Sequence, residues 1–492
     1  MKEKKIIPAE TALSSPAADG PAPDPRRWKI LSIVVLMTFM SSLDGSIVNI
    51  ALPTLSAKLS EPVSVITWVV TSYLIVICAL MLFFGRLGDI KGNTLIFKFG
   101  IAVFTGGSLL CGVSINLTML VIARVLQAVG AAASMATSQG IITQTFPKSE
   151  RGRALGFNGT SVALGALIGP PLGGLIVSVL SWHFIFLINV PIGILAFFLG
   201  RRILPKGHTI DERLDKKGAV LFGLSAVLIF CAVGSGENVN FLSPLVLSAL
   251  LAGLLLLAVF ILVERRQRQP MLDLSIFKNT LFTVSTICAF LVFVSLSSIN
   301  ILQPFYLQDA RGLNSLTAGL VMMIYPVVLA VAAPLSGYLS DRIGQKSPTL
   351  IGLCLSTIGY VGAALMTVRT SLLLTGFVYG FLGVGNALFQ SPNTSLIMST
   401  VPKDKLGVAG SVNALARNMG FIFGVLLATS VLFASMSALY GQRVNDYVQG
   451  RPDLFIYGMR ATYLVIAGVC FVGVLITAFR LFSRGKPKNE RP

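Results

Sequence analysis

The amino-acid sequence predicts an all-α integral membrane protein of fourteen transmembrane helices, built as two six-helix bundles plus an inserted two-helix hairpin. Three observations carry that expectation: a composition too apolar for water, apolar blocks of membrane-spanning length, and loop motifs that repeat at nearly one spacing. Of the 492 residues, 54% are hydrophobic and 12% charged, against roughly 25% charged in a soluble domain. The blocks run to about 20 residues, which at 1.5 Å per residue crosses a hydrocarbon core of about 30 Å. A membrane β-barrel would show alternating segments of about ten residues instead, and no such alternation occurs.

In chain order the spans fall near 29–50, 63–84, 95–115, 117–142, 154–180, 183–200, 218–236, 241–263, 280–306, 314–338, 348–367, 371–398, 406–435 and 457–482. The formal charge of +19 raises nucleic-acid binding, but its distribution fits topology better. Of the 39 Lys and Arg, 31 lie in the two tails, the even-numbered loops and the helix ends beside them. This positive-inside pattern places both termini in the cytoplasm of a bacterial cell (inner) membrane and requires an even number of spans. Nucleic acid is not an expected partner; the lipid bilayer is. Residues 1–28, rich in Pro, Ala and Ser, read as a disordered cytoplasmic tail rather than a cleaved leader, and 483–492 as a second tail. Six cysteines stand singly inside apolar blocks, without metal or redox spacing, so no metal is expected.

Gly85-Arg86-Leu87-Gly88-Asp89-Ile90-Lys91-Gly92 and Gly337-Tyr338-Leu339-Ser340-Asp341-Arg342-Ile343-Gly344 share one G-x-L-x-D-x-x-G pattern, 252 residues apart. A second pair, Pro147-Lys148 with Gly152 and Pro402-Lys403 with Gly407, is offset by 255. Two matches at nearly one offset indicate an internal repeat. The chain then divides into a bundle over 29–200, a segment over 201–278 holding cytoplasmic loops and the hairpin, and a bundle over 279–482. Parallel repeats with a site between them near the bilayer midplane suit alternating access, which makes transport the natural hypothesis.

At these residues the sequence resembles the major facilitator superfamily, in its fourteen-helix drug:proton antiporter branch. The G-x-L-x-D-x-x-G loops are similar to the signature between the superfamily's second and third helices. Leu43-Asp44-Gly45-Ser46-Ile47-Val48-Asn49-Ile50-Ala51-Leu52-Pro53 resembles the branch's first-helix motif, and Arg124-Val125-Leu126-Gln127-Ala128-Val129-Gly130 its buried-arginine motif. Gly165-Ala166-Leu167-Ile168-Gly169-Pro170-Pro171-Leu172-Gly173-Gly174 looks like the exporter-associated Gly-Pro motif. The stretch Trp182-His183-Phe184 to Asn189-Val190-Pro191 matches a further one, with His183 where Arg is usual. The resemblance implies a proton-coupled secondary efflux transporter for amphipathic or cationic drugs and other toxic compounds. Export of a lipid or endogenous metabolite on the same scaffold is the alternative within transport, and a non-transporting membrane sensor the alternative outside it. Enzyme signatures are missing: there is no Walker loop, no zinc-spaced His pair and no nucleophile elbow. No cofactor is expected, and a monomer is the expected state.

Candidate residues follow from depth and charge. Asp44 stands about 15 residues into helix one, roughly 22 Å from the inner face, and Arg124 roughly 10 Å below the outer face of a core about 30 Å thick. Their depths nearly coincide. A charge at such depth faces the bundle interior and a partner; burial disfavours an ionised carboxylate while a neighbouring Arg favours it. Asp44 is the expected proton carrier and Arg124 its relay, with a static ion pair as the alternative. A carboxylate in that role has to reach an aqueous opening; sealed from both, it carries nothing. Gly85, Asp89, Gly92, Gly337, Asp341, Arg342, Gly344 and the mid-span Arg417 are conformational-switch candidates, Asp89 or nearby carbonyls being the expected partner of Arg417. Gly165, Gly169 and Gly173, with Gly174, Pro170 and Pro171, are expected to pack closely and to bend helix five. The expected cavity lining is Asn49, Trp68, Tyr73, Gln127, Asn300, Gln303, Tyr306, Met322, Asn386, Gln390 and Asn393. Gln308, Asp309, Ala310 and Arg311 read as a solvated outer segment.

Overall fold

The computed structural model describes residues 24–205, 214–239, 243–267, 270–272, 274–401 and 406–482. Among them every regular element is helical, and fourteen helices are long and apolar enough to cross a membrane. They are α1 (Arg27–Leu59), α2 (Val63–Lys91), α3 (Asn93–Gly112), α4 (Leu117–Thr145), α5 (Arg153–Val179), α6 (Phe184–Ile203) and α7 (Lys216–Ser235). The remainder are α8 (Pro244–Arg266), α9 (Thr280–Ala310), α10 (Ser315–Ser340), α11 (Lys346–Ala364), α12 (Leu372–Ser399), α13 (Val408–Tyr440) and α14 (Pro452–Phe479). An even number of such antiparallel helices brings the start of α1 and the end of α14 to one face, here called the terminal face. Several helices run past the apolar block that announces them: α1 continues through Pro53 to Leu59, because the helix does not stop where the hydrocarbon does. The segment Gln308–Ala310 belongs to α9 rather than to a loop.

Packing reproduces the sequence repeat. In the first set α1 lies on α5 and α6, and α4 on α2 and α3, with α3 on α6; in the second, α9 lies on α13 and α14, and α12 on α10 and α11, with α11 on α14. The close approaches repeat as well. A methyl group on Gly130 would overlap the Gly100 carbonyl of α3, and one on Gly352 of α11 would overlap the Gly385 carbonyl of α12. Gly165 and Gly169 press on Phe39, Ser42, Leu43 and Ser46, and their counterparts 255 residues on, Gly420 and Gly424, press on Phe290, Phe293, Val294 and Ser297. On this register, 251 for α1 and α9, Ser295 takes the place of Asp44 and Asn300 that of Asn49. The helix pair α7 and α8 packs on itself and docks through α7 onto α2 and α13; α8 leaves Leu245, Leu251, Leu255 and Leu262 exposed, as a lipid-facing surface requires.

The two sets meet mainly away from the terminal face. There Gln308 Nε2 donates to the Ile50 carbonyl at 2.9 Å, and Gln308 Oε1 accepts from Ser315 Oγ at 2.8 Å. Val63 N donates to Asp446 Oδ1 at 3.3 Å, and Ser64 N to the Asn445 carbonyl at 3.2 Å. One apolar cluster unites Ile47–Leu55 side chains with Leu296, Tyr306, Met322 and Phe433. Gly174 meets the Ser315 backbone and Gly319 meets that of Pro170 and Pro171, so α5 touches α10 closely over Ser315–Met322 and little beyond it toward Ile343. Between α5 and α10 the interface therefore loosens toward the terminal face, whereas α2 and α13 still touch through Met81 and Asn418.

Candidate functional site

The polar core of the first set is a closed network drawn from five helices. Asp44 Oδ2 accepts from Arg124 Nη1 at 2.5 Å, and Oδ1 accepts from Gln127 Nε2 at 2.8 Å and Asn189 Nδ2 at 3.0 Å. Arg124 also donates from Nη1 to Gln127 Oε1 at 2.7 Å and from Nε to the Val69 carbonyl at 3.0 Å. Gln127 Nε2 reaches Ser108 Oγ at 2.8 Å. The guanidinium lies over the Tyr73 ring, 4.0 Å from its centroid, with Phe186 at 5.6 Å. Arg124 and Gln127 are one turn apart on α4, so they present one face to α1. Charge-assisted bonds of this kind are roughly twice as strong as neutral ones.

Asp44 is 0% and Arg124 1% exposed. The carboxylate is thus sealed from both faces in this conformation, against the requirement that a proton carrier meet water. Ser108 and Asn189 were not anticipated as members of the network; only Asn189 left a trace in the sequence, as the Asn of Asn-Val-Pro. His183, standing where Arg is usual, has its ring stacked on Trp182 and its Nε2 2.9 Å from the Ser114 carbonyl, which fastens α6 to the α3–α4 turn.

Of the other expected lining residues, Tyr73 joins the network, while Asn49 and Asn300 are half-buried at equivalent places on α1 and α9. Trp68 packs under Gly234 of the hairpin, in the apolar cluster that α7 shares with α2 and α13. Tyr306 donates to the Thr367 carbonyl at 2.8 Å, and Met322 is buried in the apolar seal. Asn386 turns into its own bundle and bonds the Leu382 carbonyl; Asn393 bonds the Ser285 carbonyl, tying α12 to α9. Gln390 is half-buried, and Gln303 is buried with Nε2 lacking an acceptor among the described residues.

Gly92 and Gly344 end their helices at φ 96° and 83°, a region only glycine enters cheaply, which explains their recurrence in both loops. Gly88 packs against Asn93 and Thr137. Gly85 and Gly337 have more room. Asp89 engages a partner, the Asp341 side chain lies outside the described residues, and Arg342 covers the Tyr338 ring at 4.6 Å. Arg417 meets neither Asp89 nor any carbonyl among the described residues, contrary to expectation. Pro170 and Pro171 sit in one unbroken helix, Lys148–Val179, and Gly165, Gly169, Gly173 and Gly174 act there as contact points for α1 and α10. At the terminal face Arg27 Nε bonds Glu150 Oε2 at 2.8 Å, joining the starts of α1 and α5.

Comparison with known proteins places this geometry. The family model of the Major Facilitator Superfamily matches residues 34–425 and 285–492. The chain belongs to that superfamily. It is 37% identical over 470 residues to the riboflavin transporter RibZ of Clostridioides difficile, covering 94% of this chain and 99% of that protein. It is 32% identical to the multidrug resistance protein Stp of Mycobacterium tuberculosis, covering 84% of this chain and 77% of that one. Among solved structures it resembles a bacterial homologue of the lysosomal transporter Spinster in an inward-facing, unoccupied conformation, with TM-score 0.66, 15% identity and coverage of 95% and 100%. A POT family transporter matches with TM-score 0.70 and 17% identity over 93% and 97%. The protein is a multi-pass membrane transporter of the superfamily.

Proposed function

We propose that the protein is a proton-coupled efflux transporter, exporting amphipathic small molecules by alternating access, with both termini in the cytoplasm of a bacterial inner membrane. The observation that carries this reading is the Asp44–Arg124–Gln127–Asn189 network, an ion pair buried inside the first bundle beside the inter-bundle interface. A buried pair of this sort is costly to assemble and weak as a source of stability, and the second bundle folds in the same way with Ser295 at the matching position. The fold does not need the charge; function is the better reason for it.

In the described conformation the bundles meet away from the terminal face, and Asp44 is held by Arg124 and two amides. Protonation requires the bundles to move so that water reaches the carboxylate. Once neutral, Asp44 no longer holds Arg124, whose bonds to Val69 on α2 and to Gln127 on its own helix shift with it. Proton occupancy and bundle position thereby bias one another, which is the linkage an antiporter needs. Conformational-switch roles for Asp89, Asp341 and the turn glycines rest on the same reading, and resistance relatives such as Stp support efflux as its direction.

A second reading within transport, movement of an endogenous metabolite, is favoured by the riboflavin transporter matched over nearly its whole length. Proteoliposomes containing a pH-sensitive dye test the proposal. Addition of a substrate should move protons in wild type and not in Asp44→Asn. Full substrate-driven proton movement in Asp44→Asn would falsify the coupling role.

A further inference from the structure

Arg417 is an arginine at mid-span with no charged partner among the described residues. It lies 9 residues beyond Val408, the first residue of α13, or about 14 Å along the helix axis. No charged group among the described residues acts on it, and it makes no hydrogen bond with them. Asp44, the acid at comparable depth, is already paired with Arg124. An ionisable side chain inside a span is costly, and it is retained where it has a partner or a task; a guanidinium brings five N–H donors in a planar fork.

Position on the helix says where this fork points. Gly410, Ala414, Arg417 and Phe421 form one stripe of α13 at intervals of three and four residues. Gly410 lies against Gln139 of α4, Ala414 packs on the apolar cluster of the first bundle, and Phe421 meets the Phe293 ring in a tilted contact at 5.4 Å within the cluster that joins both bundles. The neighbouring stripe, Gly420 and Gly424, is pressed onto α9. Arg417 therefore leaves α13 toward the inter-bundle space, half-buried. The counterpart of Arg417 on α5, 255 residues earlier, is Val162, so the repeat fold is built equally well without a charge there.

We propose that Arg417 recognises an anionic oxygen group on the cargo, a carboxylate or a phosphate attached to an apolar body. This rests on the transport reading above and narrows its substrate class: with Asp44 already held by Arg124, Arg417 has no charged partner among the described residues, and such a cation disfavours cationic cargo and selects anionic amphipaths. A planar oxyanion fits the guanidinium in bidentate fashion, while the apolar body lies on side chains such as Phe421. A lipid headgroup phosphate and a soluble organic acid offer the same chemistry.

The test is a matched dye pair, dansyl-phenylalanine with its free carboxylate and the neutral dansyl-phenylalanine amide, titrated by dansyl emission onto the full-length protein in phosphatidylcholine nanodiscs. Wild type should bind the carboxylate at least 10-fold more tightly than the amide. Arg417→Gln should bring that ratio close to one, and Arg417→Lys should keep part of it. Because the ratio is taken within one preparation, loss of folded protein in a variant does not mimic the effect. Repeating the titration with phosphatidylglycerol in the nanodisc separates the two sources. Competition in wild type but not in Arg417→Gln assigns the anion to lipid, and its absence assigns it to a soluble acid. An equal ratio in wild type and Arg417→Gln, or no carboxylate binding by wild type, overturns the proposal. Asp44-dependent proton movement surviving that outcome would leave the antiport reading standing; carboxylate preference without any proton movement would remove antiport alone.

Discussion

Removing either member of the Asp44–Arg124 pair leaves the other charge buried, whereas removing both leaves only the amides that served them. The nitrogen–oxygen distance is 2.5 Å and both side chains are at most 1% exposed. Unit charges about 4 Å apart at an effective dielectric of 20 attract by about 4 kcal/mol, in line with the 3–5 kcal/mol loss found when one partner of a buried pair is deleted. Asp44→Leu and Arg124→Met are therefore each expected to destabilise the protein by roughly 3–5 kcal/mol. The double variant should come within about 2 kcal/mol of wild type, the remainder being chiefly the Asn189 amide left without its acceptor at about 1–3 kcal/mol, since Gln127 Nε2 keeps Ser108 Oγ. Reversible unfolding of purified protein in mixed detergent micelles, followed by tryptophan fluorescence, measures all four corners of this cycle. Additive losses, with the double variant worse than either single, would refute the electrostatic account of the network.

Asn189→Leu deletes one donor onto Asp44 and should cost about 1–3 kcal/mol in the same unfolding assay, with His183 and Trp182 contacts unchanged. Gly169→Ala sets a methyl group against Ser46 of α1 and should destabilise by about 1–3 kcal/mol. Gly106→Ala on α3 meets nothing within 4 Å and should be neutral or stabilising by up to about 1 kcal/mol; equal effects at the two sites would refute the packing account of the α5 glycines. Outside the spans, the hydrogen bond from Arg27 holds the Glu150 carboxyl below its ordinary 4.5. A carboxyl lowered in the folded state contributes above its unfolded value and ceases to as the pH falls through its folded one. Any stability difference between wild type and Glu150→Gln should therefore be present at neutral pH and vanish at a pH below 4.5, as melting curves across that range would reveal.

How much of this was legible in the sequence depends on what enforces each feature. The spans were, because hydrocarbon imposes a length on apolar blocks, although Leu59 and Tyr440 carry α1 and α13 beyond the blocks since nothing in the bilayer stops a helix at its surface. The Asp44–Arg124 pair was also legible, since two charges at one depth in hydrocarbon have to find each other. Ser108 and Asn189 were not, because a small polar residue in a span is compatible with many neighbours and only its contact identifies it. The hairpin's contact with Trp68 was illegible for a related reason, since nothing in α2 announces that α7 packs on it. Gln308 reads as a solvated loop residue from its surroundings in the chain, yet its amide bridges α9 to α1. Arg417 has no charged partner among the described residues, against the rule that intramembrane charges pair within the protein, so its surroundings could not be read from the sequence.

The central claim, that Asp44 changes protonation as the bundles change position, is tested most directly by infrared difference spectroscopy of the purified protein with carbon-13-labelled aspartate. Adding substrate should produce a protonated-carboxyl band that shifts with the label and is missing from Asp44→Asn. The same band persisting in Asp44→Asn, or a wild-type spectrum in which substrate changes no aspartate carboxyl, would contradict the account.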